Sequence, residues 1–215
     1  MLSRAAMDLE RERERMVDEQ LRRRGIADTR VLAAMGTVPR EAFVPEADRA
    51  RAYYDGALPL SHGQTISQPL MVAMSVEALR LSGDETVLEV GAGSGYQAAI
   101  LSKLAKKVYA IEIIPELVAG ARRTLESLGI DNVELICADG RKGWPGGAPY
   151  DGIVVAAAAE DVPDALVEQL AEGARLVIPV GGRWGQALQA STKRDGKLHP
   201  EELCRCVFVP LVHGS

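Results

Sequence analysis

One segment, Val87-Leu88-Glu89-Val90-Gly91-Ala92-Gly93-Ser94-Gly95-Tyr96, indicates how the chain folds. Together with the preceding Thr86, its apolar beginning predicts a buried strand from Thr86 to Val90, and its three glycines predict a turn. A helix is expected from Tyr96 to Leu104. In sheets of parallel strands such a turn lies at the carboxyl ends of the strands, where ligands bind. The segment therefore predicts a ligand site at one edge of a sheet.

Strand and helix patterns alternate beyond this segment. Further strands are predicted at 107–112, 133–137, 152–156 and 175–180, with helices at 115–128 and 163–170 and closing strands at 187–192 and 203–210. Strands that alternate with helices at this spacing are typical of parallel sheets covered by helices. We therefore predict the α/β class, with a Rossmann-like, doubly wound, mostly parallel sheet.

The first eighty residues lack this alternation. Asp8–Arg24 predicts a charged helix, and Asp28 is expected to cap a second, short helix. An irregular polar segment follows, and then a helix from Pro69 to about Leu81. These residues are expected to form a helical cap on the sheet.

The composition of the 215 residues, 47% apolar and 26% charged, is that of an ordinary globular protein. We expect a single domain over 1–215, with the cap and a substrate loop at 1–80 and a cofactor-binding α/β core at 81–215. A membrane-spanning helix is not expected, because no uninterrupted apolar run reaches about 18 residues.

Charge and cysteine content limit the partners and the compartment. A net charge of −5 argues against nucleic acid as the partner, because nucleic-acid-binding proteins normally carry a basic surplus. The charged start, 1–14, lacks the apolar core of a signal peptide. Three cysteines, Cys137, Cys204 and Cys206, are too few for a disulfide framework and fit a reducing compartment. We expect a cytoplasmic protein with no membrane partner.

A metal site is not expected either. His62, His199 and His213 do not stand at the spacing of zinc ligands. The Cys204-x-Cys206 pair would need further ligands that the sequence does not place near it. We interpret the three thiols as ordinary cysteines.

An acid at the end of the second core strand indicates a nucleoside ligand. Glu112 lies 21 residues after Gly91, where a carboxylate accepts hydrogen bonds from both hydroxyls of a ribose. Asp139-Gly140 follows the third core strand at the same edge. Asp139 is expected either to reach the exocyclic amine of an adenine or to be an ordinary turn residue. Asp151 begins its strand at the opposite edge and is interpreted as structural.

The glycine turn favours a ligand without phosphate. Dinucleotide-binding turns follow G-x-G-x-x-G, whereas here the pattern is G-x-G-x-G followed by Tyr96. Glu89, two residues before the first glycine, would repel a pyrophosphate and suit a cationic amine. S-adenosylmethionine carries an amine and a sulfonium and no phosphate, so we favour it over NAD. An NAD(P)-dependent oxidoreductase remains the alternative.

The polar loop Gly63–Pro69 precedes the core. If it is extended, the hydroxyls of Thr65 and Ser67 face one direction; alternatively, both simply cap the helix that starts at Pro69. A serine hydrolase is not favoured, because the G-x-S-x-G elbow is missing.

This loop resembles the signature of a known family. The run Leu58-Pro59-Leu60-Ser61-His62-Gly63-Gln64-Thr65-Ile66-Ser67-Gln68-Pro69 is similar to the loop of protein-L-isoaspartate (D-aspartate) O-methyltransferases. The resemblance extends from about residue 16 to the C-terminus, and further similar runs are Val38–Val44, Val87–Gln97, Arg175–Gly181 and Phe208–Val212. Ser61 and the 156–161 segment depart from the usual family pattern.

The resemblance implies a methyltransferase fold, S-adenosylmethionine as donor and S-adenosylhomocysteine as product. The acceptor it implies is the free carboxylate of L-isoaspartyl or D-aspartyl residues in damaged proteins and peptides, whose methyl ester collapses to a succinimide. It places Ser67 as the active-site residue and Thr65 and Ser67 at the acceptor. The residues expected at the donor are Gln64, Thr65, Ile66, Glu89, Gly91, Gly93, Glu112, Asp139 and Gly140.

The implied chemistry agrees with the lack of an evident general base. A carboxylate with a pKa near 4 is ionised at pH 7 and attacks a sulfonium methyl directly. The site then needs to align the two substrates, and Ser67 is better interpreted as a hydrogen-bond donor than as a nucleophile. Two alternatives remain open: methylation of a small molecule, and a protein that binds the donor without catalysis. A monomer is favoured, although the sequence does not determine the oligomeric state.

Overall fold

A seven-stranded sheet and a small hairpin organise the protein. The computed structural model describes residues 4–182 and 185–212. The hairpin consists of β1 (Leu58–Pro59) and β2 (Thr65–Ile66). The sheet consists of β3 (Thr86–Val90), β4 (Lys107–Glu112), β5 (Val133–Cys137), β6 (Tyr150–Val155), β7 (Leu170–Gly182), β8 (Gly185–Arg194) and β9 (Lys197–Cys206). Its strand order is β5-β4-β3-β6-β7-β8-β9.

The strand order places a ligand crevice beside β3. The chain runs outward from β3 to β4 and β5 on one side, and β6 and β7 lie on the other, all five strands being parallel. The order therefore reverses between β3 and β6, and sheets of this kind bind ligands at the carboxyl ends of the strands at such a point. The last two strands, β8 and β9, are antiparallel. The predicted mostly parallel α/β sheet is confirmed.

The described residues form six α-helices. They are α1 (Arg4–Arg15), α2 (Thr29–Thr37), α3 (Pro69–Leu79), α4 (Tyr96–Leu101), α5 (Pro115–Ser127) and α6 (Asp164–Gln169). Alternate residues of the central strands enter two separate cores. Val87 and Val108 pack with the helices of the cap and with α4 and α5, whereas Leu88 and Ile111 pack with Leu166 of α6. Because both faces of β3 and β4 are covered, these strands are mainly apolar, which is why they were recognisable in the sequence.

The segment Asp8–Arg24 is helical, but the prediction of one regular helix is wrong. The α-helix ends at Arg15, and the chain continues as a π-helical turn, Met16–Leu21, and a 3₁₀ turn, Arg22–Arg24. The stop at Gly25 is confirmed, since its φ of +101° is a conformation that glycine adopts without strain. Asp28 caps α2 as expected, and its carboxylate accepts the N–H of Arg30.

The predicted closing strand 203–210 is also wrong. The last strand begins earlier, at Lys197, because Asp195 and Gly196 form a two-residue turn in which both φ angles are positive. Such turns match the twist of a hairpin and pair Arg194 directly with Lys197. The strand ends at Cys206, and the following residues leave the sheet. Within the ranges described above, no helix is both long and apolar enough to cross a membrane.

Candidate active site

Two adjoining cavities lie at the carboxyl ends of the central strands. The first, which we call the Glu112 cavity, has an empty volume of about 560 Å³ and is lined by Gln64, Thr65, Gly91, Gly93, Ile111, Glu112, Ile113, Gly140, Ala156, Ala157 and 209–212. The second, the Glu89 cavity, has about 350 Å³ and is lined by Thr65, Ile66, Ser67, Val72, Glu89, Gly91, Ala92, Gly93, Ser94, Tyr96, Gln97 and Ala156. Thr65, Gly91, Gly93 and Ala156 belong to both, so the two cavities form one elongated site.

The glycine turn is fastened to the neighbouring strand by backbone bonds. The N–H groups of Gly91 and Ala92 both donate to the carbonyl of Ile111, at 2.8 and 2.9 Å. Gly91 has a φ of +86°, and Gly95, also at +86°, starts α4. A Cβ at Gly95 would approach Ala121 to 3.1 Å. The turn therefore needs glycine both for its backbone conformation and for the packing of α5 against it.

Glu112 fixes the turn from the end of β4. Its Oε2 accepts the N–H of Gly93 at 2.8 Å, and its Oε1 accepts the N–H groups of Ile113 and Ile114 at 2.8 and 3.0 Å. An ionised carboxylate offers about four acceptor positions, so further capacity remains toward the cavity that Glu112 lines. The structure thus gives Glu112 a second role that the sequence did not indicate, which is to hold the turn in place.

Glu89 is a buried acid without a hydrogen-bond partner among the described residues. Its side chain is fully buried, and neither carboxylate oxygen accepts a hydrogen bond from any described residue. Burial raises the pKa of Glu89 well above its usual value; the nearby amide of Gln97 lowers this pKa and the charge of Glu112 raises it further. A buried carboxylate without partners is costly unless a donor or cation completes it. The arrangement fits a cationic ligand group.

Gln97 lies beside Glu89 and was missed by sequence reasoning. It is buried, and its Nε2 makes no hydrogen bond with the described part of the chain. The Gln97 amide is near enough to influence the acid, yet no bond of ordinary geometry joins the two groups. The signal in the sequence was a lone amide among the apolar side chains of α4.

The loop at 58–68 is a tight hairpin whose second half lines the cavities. The N–H of Leu60 donates to the carbonyl of Gln64 at 2.8 Å, and His62 and Gly63 turn the chain with φ angles of +58° and +69°. Ile66 is buried and anchors the second strand. This geometry brings Gln64, Thr65, Ile66 and Ser67 to the cavity walls. No described side chain caps the start of α3, so the interpretation of Thr65 and Ser67 as caps has no bond to support it.

Arg40 connects the loop to the glycine turn. Its Nη2 donates to the carbonyl of Ser67 at 2.9 Å, its Nε donates to the carbonyl of Ala52 at 2.7 Å, and its guanidinium lies 4.8 Å from the ring centre of Tyr96. The side chain is fully buried, and burial lowers its pKa, an effect that Tyr96 opposes. Burial also raises the pKa of Tyr96, to about 12. Sequence reasoning missed Arg40, although it lies in the Val38–Val44 run.

The two residues after β5 have different positions. Gly140 lines the Glu112 cavity, and a Cβ there would lie 2.4 Å from Cγ1 of Val90, so packing requires glycine. Asp139 does not line either cavity, and its carboxylate accepts the N–H of Arg141 at 3.0 Å. The turn interpretation of Asp139 is thus supported, and its contact with adenine stays a prediction. Asp151 accepts the N–H of Thr86 at 2.8 Å, at the amino edge of the sheet as expected.

The C-terminal segment forms a wall that the sequence did not predict. Instead of continuing as a strand, it binds the loop after β6: Ala158 donates to the carbonyl of Val209 at 2.8 Å, and Leu211 donates to that of Ala158 at 2.7 Å. Residues 209–212 thereby line the Glu112 cavity. The 156–161 segment, one of the two departures from the family pattern, contributes Ala156 and Ala157 to the walls, whereas Ser61 lines neither cavity.

The part of the chain that the structure describes contains no group of three His, Cys, Asp or Glu side chains placed to hold a metal ion. His213 lies outside the described residues. Cys137, Cys204 and Cys206 are free thiols.

Comparison with known proteins gives one consistent result. A model of the family described as protein-L-isoaspartate(D-aspartate) O-methyltransferase (PCMT) matches residues 11–215. The protein-L-isoaspartate O-methyltransferase of Opitutus terrae is 54% identical over 93% of this chain and 86% of its own length. That of Geobacter metallireducens is 53% identical over 96% of each chain. A Plasmodium falciparum protein assigned to the same type, whose crystal structure is in complex with S-adenosyl-L-homocysteine, superposes with a TM-score of 0.81 at 28% identity and covers 93% of this chain and 98% of its own.

Proposed function

The chain belongs to the protein-L-isoaspartate(D-aspartate) O-methyltransferase family, and from this premise we propose that it methylates the free carboxylate of L-isoaspartyl and D-aspartyl residues in damaged proteins and peptides, with S-adenosylmethionine as donor. The observation that carries the proposal is the Glu89 cavity. It places an unpartnered buried acid, suited to a cationic donor, beside the hydroxyls of Thr65 and Ser67, suited to a carboxylate acceptor.

The donor fits the charges and shape of the elongated site. S-adenosylmethionine supplies an electrophilic methyl group on a positively charged sulfur. Glu89 would hold its ammonium group, and the remaining acceptor position of Glu112 would take one ribose hydroxyl. Gly140, Ile113 and 209–212 would enclose the adenine in the Glu112 cavity. Gly91 and Gly93, which line both cavities, let the backbone approach the middle of the ligand.

Ser67 and Thr65 would position the acceptor. An isoaspartyl carboxylate is ionised at neutral pH, so it attacks the methyl carbon without a general base. The protein must bring the carboxylate oxygen, the methyl carbon and the sulfur close to one line, and alignment of this kind lowers a barrier by several kcal/mol. Arg40 supports the alignment indirectly, because it holds the carbonyl of Ser67 in place.

The products explain how methylation leads to repair. Transfer leaves S-adenosylhomocysteine and a methyl ester at the isoaspartyl residue. The methoxy group of the ester leaves more readily than the oxygen of a carboxylate. The neighbouring amide nitrogen therefore attacks the ester carbonyl, closes a succinimide and releases methanol. Hydrolysis of the succinimide returns part of the material to normal aspartate.

We also propose a cytoplasmic monomer that acts on proteins and does not bind nucleic acid. Free thiols support a reducing compartment. The large apolar side chains exposed in the described residues, Met7, Tyr54, Val207 and Val212, are few, which supports a monomer. A net charge of −5 disfavours a polyanionic partner. Sedimentation of the purified protein tests the monomer.

The decisive experiment uses two peptides that differ only in the linkage at one residue. Each peptide is incubated with donor labelled in its methyl group, and methanol released by base is counted. The isoaspartyl linkage moves the carboxylate by about one bond length relative to the flanking chain, and a misplacement of about 1 Å costs roughly 100-fold in rate. We expect strong labelling of the isoaspartyl peptide alone. Equal labelling of both peptides, or labelling only of a small molecule, would overturn the proposal.

A second measurement separates the donor from the alternative cofactor. Calorimetric titration is expected to show binding of S-adenosylhomocysteine and none of NAD. Comparable affinity for NAD would favour the oxidoreductase alternative. Tight binding of the donor without any methyl transfer would favour a protein that binds the donor without catalysis.

A further inference from the structure

An unused hydrogen-bond donor lies beside the unused acceptor in the Glu89 cavity. Nε2 of Gln97 and both oxygens of Glu89 are buried, and none of the three makes a hydrogen bond within the described chain. Both side chains line the same cavity. A buried polar group without a partner at a binding site commonly forms its hydrogen bond with the ligand. A donor next to an acceptor therefore requires a ligand that carries an acceptor next to a donor.

The ligand end that matches such a pair is a zwitterion. An α-amino acid carries an ammonium group and a carboxylate on one carbon, so the two charges lie about 3 Å apart. Glu89 accepts from the ammonium, and the adjacent amide of Gln97 can donate to the carboxylate. The side chains that line this cavity include no lysine or arginine, so a ligand carboxylate in it meets neutral donors only.

Resting on the proposed function, we propose that Gln97 donates a hydrogen bond to the α-carboxylate of the bound donor and so selects donors that retain this carboxylate. Glu89 and Gln97 together then recognise the amino-acid end of S-adenosylmethionine and of S-adenosylhomocysteine. Gln97 is thereby a specificity-determining residue, and Glu89 supplies the affinity for the amine.

A neutral amide suits this position better than a cation. A lysine or arginine beside Glu89 would pair with that carboxylate and compete with the ligand ammonium for it. The amide donates without forming an ion pair with Glu89, so the acid stays available to the ligand ammonium once it has released its proton. Arg40 does not take this role, because it does not line the cavity and its guanidinium lies over the Tyr96 ring.

A different role for Gln97 makes a different prediction. If its amide serves only to polarise or orient Glu89, the loss of Gln97 weakens every ligand that carries the ammonium group, whether or not it carries a carboxylate. The proposal instead predicts a loss confined to ligands that carry the carboxylate. The test therefore needs two ligands that differ only in that group.

The two ligands are S-adenosylhomocysteine and its decarboxylated form, S-adenosyl-3-thiopropylamine. Their affinities are measured by calorimetry for the wild type and for Gln97→Met, which keeps the length of the side chain and removes its N–H donors. We expect Gln97→Met to weaken binding of S-adenosylhomocysteine about 10- to 100-fold, the range for a hydrogen bond to a charged group. Its affinity for the decarboxylated ligand is expected to change less than about threefold, since that ligand makes no bond to the amide.

Gln97→Glu replaces the attraction to the ligand carboxylate by a repulsion, and retained binding of the amine in this variant shows that the protein is folded. A second carboxylate repels the ligand carboxylate, so S-adenosylhomocysteine is expected to bind more weakly than to Gln97→Met. The decarboxylated amine is expected to bind as well as to the wild type or better. Gln189→Met, a half-buried glutamine of β8, is the matched control and is expected to leave both affinities unchanged.

Two results would overturn the proposal. An equal loss for both ligands in Gln97→Met would mean that Gln97 acts through Glu89, and no loss for either would mean that it does not touch the donor. Absence of binding by the wild type to S-adenosylhomocysteine would instead overturn the proposed function itself. The wild-type titration thus separates failure of the function from failure of the inference.

Discussion

The glycine turn at 91–95 and the hairpin loop at 58–68 both line the two cavities, but they are held in different ways. The turn at 91–95 is fixed by backbone bonds to the adjacent strand and by the carboxylate of Glu112. The hairpin loop at 58–68 is fixed largely from a distance, through Arg40 and through the bond from Gln68 to Asp55. In the proposed function the turn is the donor wall, which is part of the sheet, and the loop is the acceptor wall, which depends on the packing of the cap.

This difference predicts which properties change together. Substitutions that loosen the sheet edge should lower both stability and donor affinity, because the same bonds serve both. Substitutions in the cap should lower acceptor turnover while donor affinity is retained. Three variants, Glu112→Ala, Arg40→Met and Ser67→Ala, test this separation.

Glu112→Ala should have the largest effect, because it removes the acceptor of three backbone N–H groups. Each of these partly buried bonds contributes about 1 kcal/mol, so we expect a loss of about 3 kcal/mol in the free energy of unfolding. Donor affinity should fall at least tenfold. Urea unfolding and calorimetric titration measure the two effects, with the exposed Glu116→Ala as the matched control. Retained stability together with lost affinity would contradict the structural role of Glu112.

Arg40→Met should act mainly on the acceptor wall. It leaves the carbonyls of Ala52 and Ser67 without their donor and removes the contact with Tyr96. We expect a loss of about 2 to 4 kcal/mol in the free energy of unfolding, by the cost of two unmade bonds. In the folded fraction, turnover with an isoaspartyl peptide should fall while affinity for S-adenosylhomocysteine stays within about threefold of the wild type.

The exposed Arg49→Met is the control for Arg40→Met and should change neither property. If donor affinity fell as strongly as peptide turnover in Arg40→Met, the two walls would not be independently supported.

Ser67→Ala should lower methyl transfer about 10- to 100-fold, which corresponds to the loss of one positioning hydrogen bond of about 1 to 3 kcal/mol. Melting temperature and donor affinity should remain near those of the wild type, because Ser67 caps no helix in this structure. Ser61→Ala, an exposed serine of the same loop, is the control. Normal turnover with a lowered melting temperature would restore the purely structural interpretation of Ser67.

The pH dependence of donor affinity should show the smallest effect, at most tenfold per pH unit. Burial raises the pKa of Glu89 in the free protein, so binding an ammonium group requires the release of its proton. Affinity should therefore rise with pH up to the raised pKa and level off above it. Calorimetry from pH 5 to pH 9 measures the slope, which Glu89→Gln should abolish and the exposed Glu134→Gln should retain.

The stability of the free protein should change in the opposite direction. The unfolded chain ionises Glu89 at about 4.5, below the raised pKa of the folded state. The stabilisation from the protonated acid is thus complete below pH 4.5 and is lost as the pH rises through the raised pKa. Comparison of the wild type with Glu89→Gln in urea isolates this contribution, and identical pH profiles would show that Glu89 is ionised in the folded protein.

Local patterns in the sequence determined the core of the fold. The strands at 86–90, 107–112 and 133–137 were predicted with the bounds that the structure has. The first two are buried over most of their length and are therefore mainly apolar, whereas 133–137 is an edge strand in which only Leu135 is buried. The glycine turn and Glu112 were recognisable for a similar reason. The turn follows β3 and Glu112 ends β4. These two strands are parallel neighbours, so their carboxyl ends lie at the same edge of the sheet.

Only the tertiary structure decided how the walls are completed. Arg40 reaches Ser67 across 27 residues of sequence, and the C-terminal segment crosses to the loop after β6. Both carboxylate oxygens of Glu89 and Nε2 of Gln97 lack a hydrogen-bond partner among the described residues. A sequence cannot predict this, because it shows a polar residue but not whether its hydrogen bonds are made. Periodicity reports only which face of an element is buried. The contacts of a buried polar group depend on which distant elements pack against that face, and only the folded chain brings them together.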